Sequence, residues 1–183
     1  TKYPWTNNAY RPFPQAPLCI VNGEDLIVRL WAFENDPVVS PDKAQDFFLQ
    51  SCISFFFTPP GASDARYLAL SLSAGGEVLA CVCEDGAVRP LSDYYAEEPC
   101  ADMFAGENLQ GEFWGGQIAL PAALFKAVFG VKGFEKGHTI KGNLYKTCGT
   151  PPYVHFGCYF DIRLPAPEMY APAFFGSFEI VDY

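Results

Sequence analysis

Histidine and methionine are scarce in this chain. There are two of each, His138, His155, Met103 and Met169, among 183 residues. A cysteine nucleophile would need a histidine beside it. The nearest such pair in sequence is Cys158 with His155, and at i and i+3 on a regular strand these point to opposite faces. There is no G-x-S-x-G turn, and no glycine-rich phosphate loop opening a helix. Positive charge is also in short supply: Lys+Arg 12 against Asp+Glu 21, a formal net charge of −9. Phosphate backbones and anionic membranes need a concentrated positive surface, so neither nucleic acid nor membrane is an expected partner. No apolar run approaches the roughly 20 residues of a membrane-spanning helix.

Metal-ligand patterns are thin as well. His138, Cys148, His155 and Met169 are the ligand types of a blue-copper centre, but their spacings are too wide for a single ligand loop. Cys81-x-Cys83 has no second half to complete a zinc site. No cofactor is therefore expected. The acidic segments FENDP (33–37) and CEDGA (83–87) leave a structural calcium open as an alternative to solvated turns. Glycoside hydrolysis needs two carboxylates across a cleft; Glu34, Asp42, Asp46 and Glu112 are available, with no spacing that selects a pair.

The chain is rich in hydrophobic residues (50%), aromatics (16%), and turn formers, with 16 glycines and 16 prolines. That composition excludes disorder and fits a core with many turns. Seven cysteines, Cys19, Cys52, Cys81, Cys83, Cys100, Cys148 and Cys158, cannot all pair with one another. Most lie in apolar company, where a thiol acts as a small buried hydrophobe. TKYPWTNNAY at the N-terminus has no apolar signal-peptide core. Together these favour a reducing, cytoplasmic setting, with a processed secreted form as the alternative.

Period-two patterning predicts strands at 25–34, 65–76, 77–86, 111–121, 138–147, 153–160 and 174–182. The stretch 46–61 is too long for one flat strand and is expected to break near Gln50 and Ser51. Gly75-Gly76 turns a hairpin between 65–76 and 77–86. Pro121 and Gly130 bracket one short helix near 121–129. Residues 87–109 are the least regular stretch and are expected to form a surface excursion. Trp31, Trp114, Tyr145 and Phe156 are expected in the core. The fold class is all-β: an antiparallel β-sandwich, jelly-roll or immunoglobulin-like, forming one domain over 1–183.

GNLYKTCGTPPYVHFGCYFDIRLPAPEMYAPAFFGSFEIV (142–181) carries the most specific pattern. With DKAQDFFL (42–49) and GEFWGGQIALP (111–121), in that chain order, it resembles the carbohydrate-binding module family 9-like domains. The resemblance runs through Gly142, Asn143, Tyr145, Lys146, His155, Ile162, Pro165, Pro167, Pro172, Phe174, Phe175 and Gly176. It implies a non-catalytic β-sandwich that binds a mono- or oligosaccharide, often a chain end. It places Tyr159 where the family has a stacking tryptophan and Asp46 where it has a hydroxyl-binding glutamate. Asp42 opens the same acidic motif, and Lys146, Asn143 and His155 join the candidate ligand-binding set. DPVVSPDK (36–43) contains no second aromatic, and YLALSLS (67–73) replaces the family's polar strand with serines. The alternative is a sandwich kept as an interaction or haem-binding module, with Met103 or Met169 and His138 or His155 as ligand candidates.

Overall fold

The computed structural model describes residues 1–6, 9–15, 18–21 (backbone), 25–40, 47–62, 65–135 and 137–180. In chain order, the strands are β1 (Phe13–Gln15), β2 (Leu18–Val21), β3 (Asp25–Phe33), β4 (Cys52–Thr58), β5 (Tyr67–Ser73), β6 (Val78–Glu84), β7 (Ala87–Pro90), β8 (Ala101–Asn108), β9 (Gly111–Leu120), β10 (Thr139–Cys148), β11 (His155–Cys158) and β12 (Gly176–Glu179). Among the described residues one α-helix, α1 (Ala122–Phe129), interrupts them. Among the described residues these strands form two antiparallel sheets. The smaller runs β1-β3-β9-β8, with β2 also on β3; the larger runs β11-β10-β4-β5-β6-β7, with β12 also on β10.

The sheets pack through alternate residues. Leu26, Val28, Leu30 and Ala32 of β3, and Trp114, Ile118 and Leu120 of β9, meet Ile53, Phe55 and Phe57 of β4 and Leu68, Leu70 and Leu72 of β5. Fully burying such side chains contributes roughly 1.5–3 kcal/mol each. Helix α1 closes one end of this core with Leu124, Phe125, Val128 and Phe129. Pro121 is its N-cap, and Gly130 ends it in the left-handed conformation (φ 70°), its N–H donating to the Lys126 carbonyl.

The outer face of the larger sheet is covered by the chain itself. Phe56, Tyr67, Cys83 and Tyr145 pack beneath Ile162, Met169, Tyr170, Phe174 and Phe175. Trp5 Nε1–H donates to the Leu164 carbonyl, and the Tyr145 hydroxyl donates to the Met169 carbonyl. This cover explains why β5 is buried on both faces despite its alternating sequence.

Two expectations are corrected. Residues 87–109 are not an excursion: β7 and β8 occupy most of them, with a 3-10 turn at Leu91–Asp93. Strand β8 (ADMFAGEN) is an edge strand with most side chains exposed, so it has no buried face to impose alternation. Trp31 is not in the core. It belongs to the odd-numbered row of β3, outside the smaller sheet, whereas Trp114 faces inward and is buried. The break before β4 falls where expected, as a 3-10 turn at Phe47–Leu49 followed by Gln50 and Ser51.

Candidate functional site

At the end of the sandwich opposite α1, the inward rows of three strands finish in polar groups. Glu34 continues the row Leu26–Ala32 just beyond β3, Trp114 belongs to β9, and Lys146 follows Ile140 and Leu144 on β10. The Glu34 carboxylate accepts from the Lys146 ammonium at 3.1 Å (Oε2), Trp114 Nε1–H at 2.7 Å (Oε2), the Ser51 hydroxyl at 2.9 Å (Oε1) and the Tyr10 hydroxyl at 3.3 Å (Oε1). Lys146 also donates to His155 Nε2 at 3.0 Å, and its Nζ lies 5.6 Å from the Trp114 ring centroid.

The charge states follow from these partners. Burial pushes the Lys146 pKa down and the Glu34 carboxylate pushes it back up. His155 Nδ1–H donates to the Tyr153 carbonyl at 2.7 Å, so Nε2 carries the lone pair that accepts from Lys146. Burial first, and the Lys146 charge second, depress the His155 pKa to about 4, so the imidazole is neutral at pH 7. Both ring nitrogens are thereby engaged, leaving neither free to ligate haem or copper in this arrangement.

Asn143 lies in the neighbouring row of β10 and is fully buried. Its Oδ1 accepts from the Phe160 and Leu144 N–H groups, each at 2.9 Å, and its Nδ2 donates to the Phe160 carbonyl at 2.9 Å. It thus holds both backbone polar groups of Phe160, next in chain to Tyr159. Tyr159 N–H donates to the Leu144 carbonyl at 2.9 Å. Its ring stands perpendicular to Phe160 with centroids 5.0 Å apart, lies 6.0 Å from Phe178, and is 52% exposed.

The structure therefore separates the expected site residues. Tyr159 is on the surface; Lys146, Asn143 and His155 are buried with their polar atoms engaged by the protein. Asp42 and Asp46 lie outside the described residues. Glu34, which belongs to the carboxylate pool of the sequence, is the hub of the buried network. Its signal was its parity: it extends the inward apolar row of β3.

Among the described residues, no group of three or more His, Cys, Asp or Glu is placed to hold a metal ion. In the FENDP and CEDGA segments, Asp36 and Asp85 occupy left-handed turn positions (φ 51° and 48°) and are exposed, while Glu34 turns inward. His138 accepts the Glu135 N–H on the surface, Met103 is on β8, and Met169 packs over the larger sheet. Among the described residues no helix is long and apolar enough to cross a membrane.

Two antiparallel sheets, one covered by its own C-terminal segment and carrying an exposed, backbone-clamped tyrosine, define a β-sandwich module. The family model for carbohydrate-binding family 9 matches residues 2–180, and the chain belongs to that family. Its members are typically non-catalytic binding modules. Among solved structures, the chain is similar to a Bacteroides uniformis ATCC 8492 protein provisionally described as carbohydrate-binding. Identity is 23% and the TM-score 0.71, over 96% of this chain and 82% of the other. It is also similar to a Caldicellulosiruptor kristjanssonii family 9 carbohydrate-binding module solved with cellotriose: identity 12%, TM-score 0.55, over 97% of this chain and 79% of the other. The same description with glucose bound gives identity 13% and TM-score 0.55, over 95% and 79%. No protein with a curated description matches the chain.

Proposed function

We propose that residues 1–183 form a single module that binds a mono- or oligosaccharide without cleaving it, with Tyr159 as its aromatic platform. The observation that carries this reading is the setting of Tyr159: about half exposed, braced edge-on by Phe160, and followed by a backbone clamped by Asn143. Sugar rings present apolar C–H faces, which suit an exposed aromatic whose orientation is fixed before binding.

Lys146, Asn143 and His155 serve the site from within. Asn143 holds the platform's turn, while His155 and Lys146 anchor β11, which leads into it. Asp42 and Asp46 enter from the motif as acceptors for sugar hydroxyls. Glucose and cellotriose, bound by the family 9 module of C. kristjanssonii, are the first ligands to try. Calorimetry with both, against wild type and Tyr159→Ala, tests the reading: heat of binding in the first and its loss in the second support it. Equal affinity in two equally stable proteins overturns the role of Tyr159.

A further inference from the structure

We propose that the outer face of the smaller sheet carries a second carbohydrate site, an open groove for a neutral oligosaccharide chain. It does not depend on Tyr159. The larger sheet's outer face is covered by residues 162–175; among the described residues no comparable segment lies over the outward row of β3, β9 and β8.

The register of these strands builds the groove. Three rows cross the face: Arg29–Gln117–Asp102, then Trp31–Gly115–Phe104, then Phe33–Phe113–Gly106. Gly115 leaves the middle of the central row without a side chain, between Trp31 and Phe104. The packing permits nothing larger, since a Cβ there would lie 2.2 Å from the Leu30 carbonyl oxygen and 2.5 Å from Trp31 Cβ. Arg29 of β3 reaches across this gap toward Phe104 of β8, and beside it lies a cavity of about 190 Å³ bounded by Arg29, Trp31, Phe33, Phe104, Asn108 and Phe113.

The polar row gives this aromatic trough its chemistry. The Arg29 guanidinium carbon is 4.4 Å from the Phe104 ring centroid and 5.7 Å from that of Trp31. These cation–π contacts hold the guanidinium at the aromatic wall, where its N–H groups can donate to a ligand. Gln117 and Asp102, exposed in the same row, add an amide and a carboxylate. A second cavity of about 170 Å³ starts at Asp102 and Gln117 and continues past Tyr95, Glu97 and Glu98. One cavity borders the polar row at Arg29 and the other at Gln117 and Asp102, an arrangement that fits an extended ligand better than a single ring. Aromatic walls match pyranose faces, and a donor and acceptors side by side match vicinal hydroxyls. The carboxylates at one end repel a polyanionic chain, which selects neutral sugars.

The test is calorimetry on the whole chain with cellohexaose, xylohexaose and mannohexaose, using wild type, Tyr159→Ala, and Arg29→Ala or Phe104→Ala made in the Tyr159→Ala background. At least one hexaose is expected to bind Tyr159→Ala. Its affinity should fall roughly tenfold or more on adding either groove substitution, the loss expected for one stacking or charge-assisted contact. Arg29 is exposed and outside the core, so it carries the test even if Phe104→Ala lowers the melting temperature. Failure of every hexaose to bind Tyr159→Ala, or affinity unchanged by both substitutions, overturns the proposal. So does a concentration-dependent dimer in sedimentation that Arg29→Ala dissociates, which would assign the face to a second copy of the chain. Glucose and cellotriose binding by wild type and Tyr159→Ala reads the Tyr159 platform separately.

Discussion

The Lys146 ammonium lies 3.1 Å from the Glu34 carboxylate, with neither side chain reaching solvent. The pair joins the two sheets at the end of the core opposite α1, across 112 positions of sequence. Its geometry is well supplied: the carboxylate has donors from Trp114, Ser51 and Tyr10 besides Lys146. Buried charges are tolerated when paired and hydrogen-bonded in this way.

Removing one partner should therefore cost more than removing both. Lys146→Ala is expected to destabilise the protein by roughly 3–5 kcal/mol, because it leaves the carboxylate buried and uncompensated. Lys146→Met combined with Glu34→Gln keeps volume, removes both charges, and should recover most of that loss. Urea unfolding of the three proteins measures it; a double variant no more stable than Lys146→Ala would show that packing, not charge, governs this end of the sandwich.

His155 sets an acid limit. Its folded pKa of about 4 lies below the ordinary histidine value of 6.5. As pH falls below 6.5 the unfolded chain takes up a proton that the folded protein refuses until pH 4. Stability is thus fully present above 6.5, declines through this window and levels off below it. The contribution between pH 7 and 4.5 is roughly 2–3 kcal/mol. His155→Gln should lessen the decline in unfolding free energy over that range by about this amount. An equal decline in both proteins would assign the acid sensitivity to carboxylates.

The thiols should divide by accessibility. Cys100 is exposed, whereas Cys52, Cys81, Cys83, Cys148 and Cys158 are free and buried. Burial raises the Cys83 pKa to about 11 and also pushes Cys81, Cys148 and Cys158 upward. Since the thiolate is the reactive form, the buried set should be slow. In a Cys19→Ser background at pH 8, a disulfide reagent is expected to label one thiol quickly in the native protein, and Cys100→Ser should remove that phase. Rapid labelling of two or more would show that the core opens locally.

How much of this could be read in advance depended on locality. The hairpin through Gly75-Gly76 and the helix between Pro121 and Gly130 are written in neighbouring residues, and both are present. Strand β8 had no such signature, because an exposed edge strand places no demand on alternate positions. The Glu34–Lys146 pair was hidden for a different reason: its partners are distant in sequence. Only a carboxylate in the inward parity of β3 and a lysine inside GNLYKTC pointed to it. The C-terminal motif identified the family through residues that mostly serve packing, such as Tyr145 and Asn143, so recognition of the fold ran ahead of recognition of the site.

The sharpest test concerns Tyr159. Removing a stacking ring loses apolar contact and orientation together, about 1–3 kcal/mol. A millimolar sugar site has only about 4 kcal/mol in total, so Tyr159→Ala should nearly abolish binding of glucose or cellotriose. The fold should survive, since the ring is half exposed. Asn143→Ala supplies the contrast. It strips two hydrogen bonds from Phe160, next in chain to Tyr159, and a third from the Leu144 N–H of β10. It should therefore lower both melting temperature and affinity, leaving backbone groups buried without partners. Asp46→Ala is expected to weaken binding without changing stability, since its proposed role is to accept from hydroxyls. Calorimetry and thermal unfolding on the three variants give a distinct pattern for each. A Tyr159→Ala protein that melts much earlier would instead make the tyrosine part of the packing with Phe160 and Phe178, and the sugar platform would have to lie elsewhere on the sandwich.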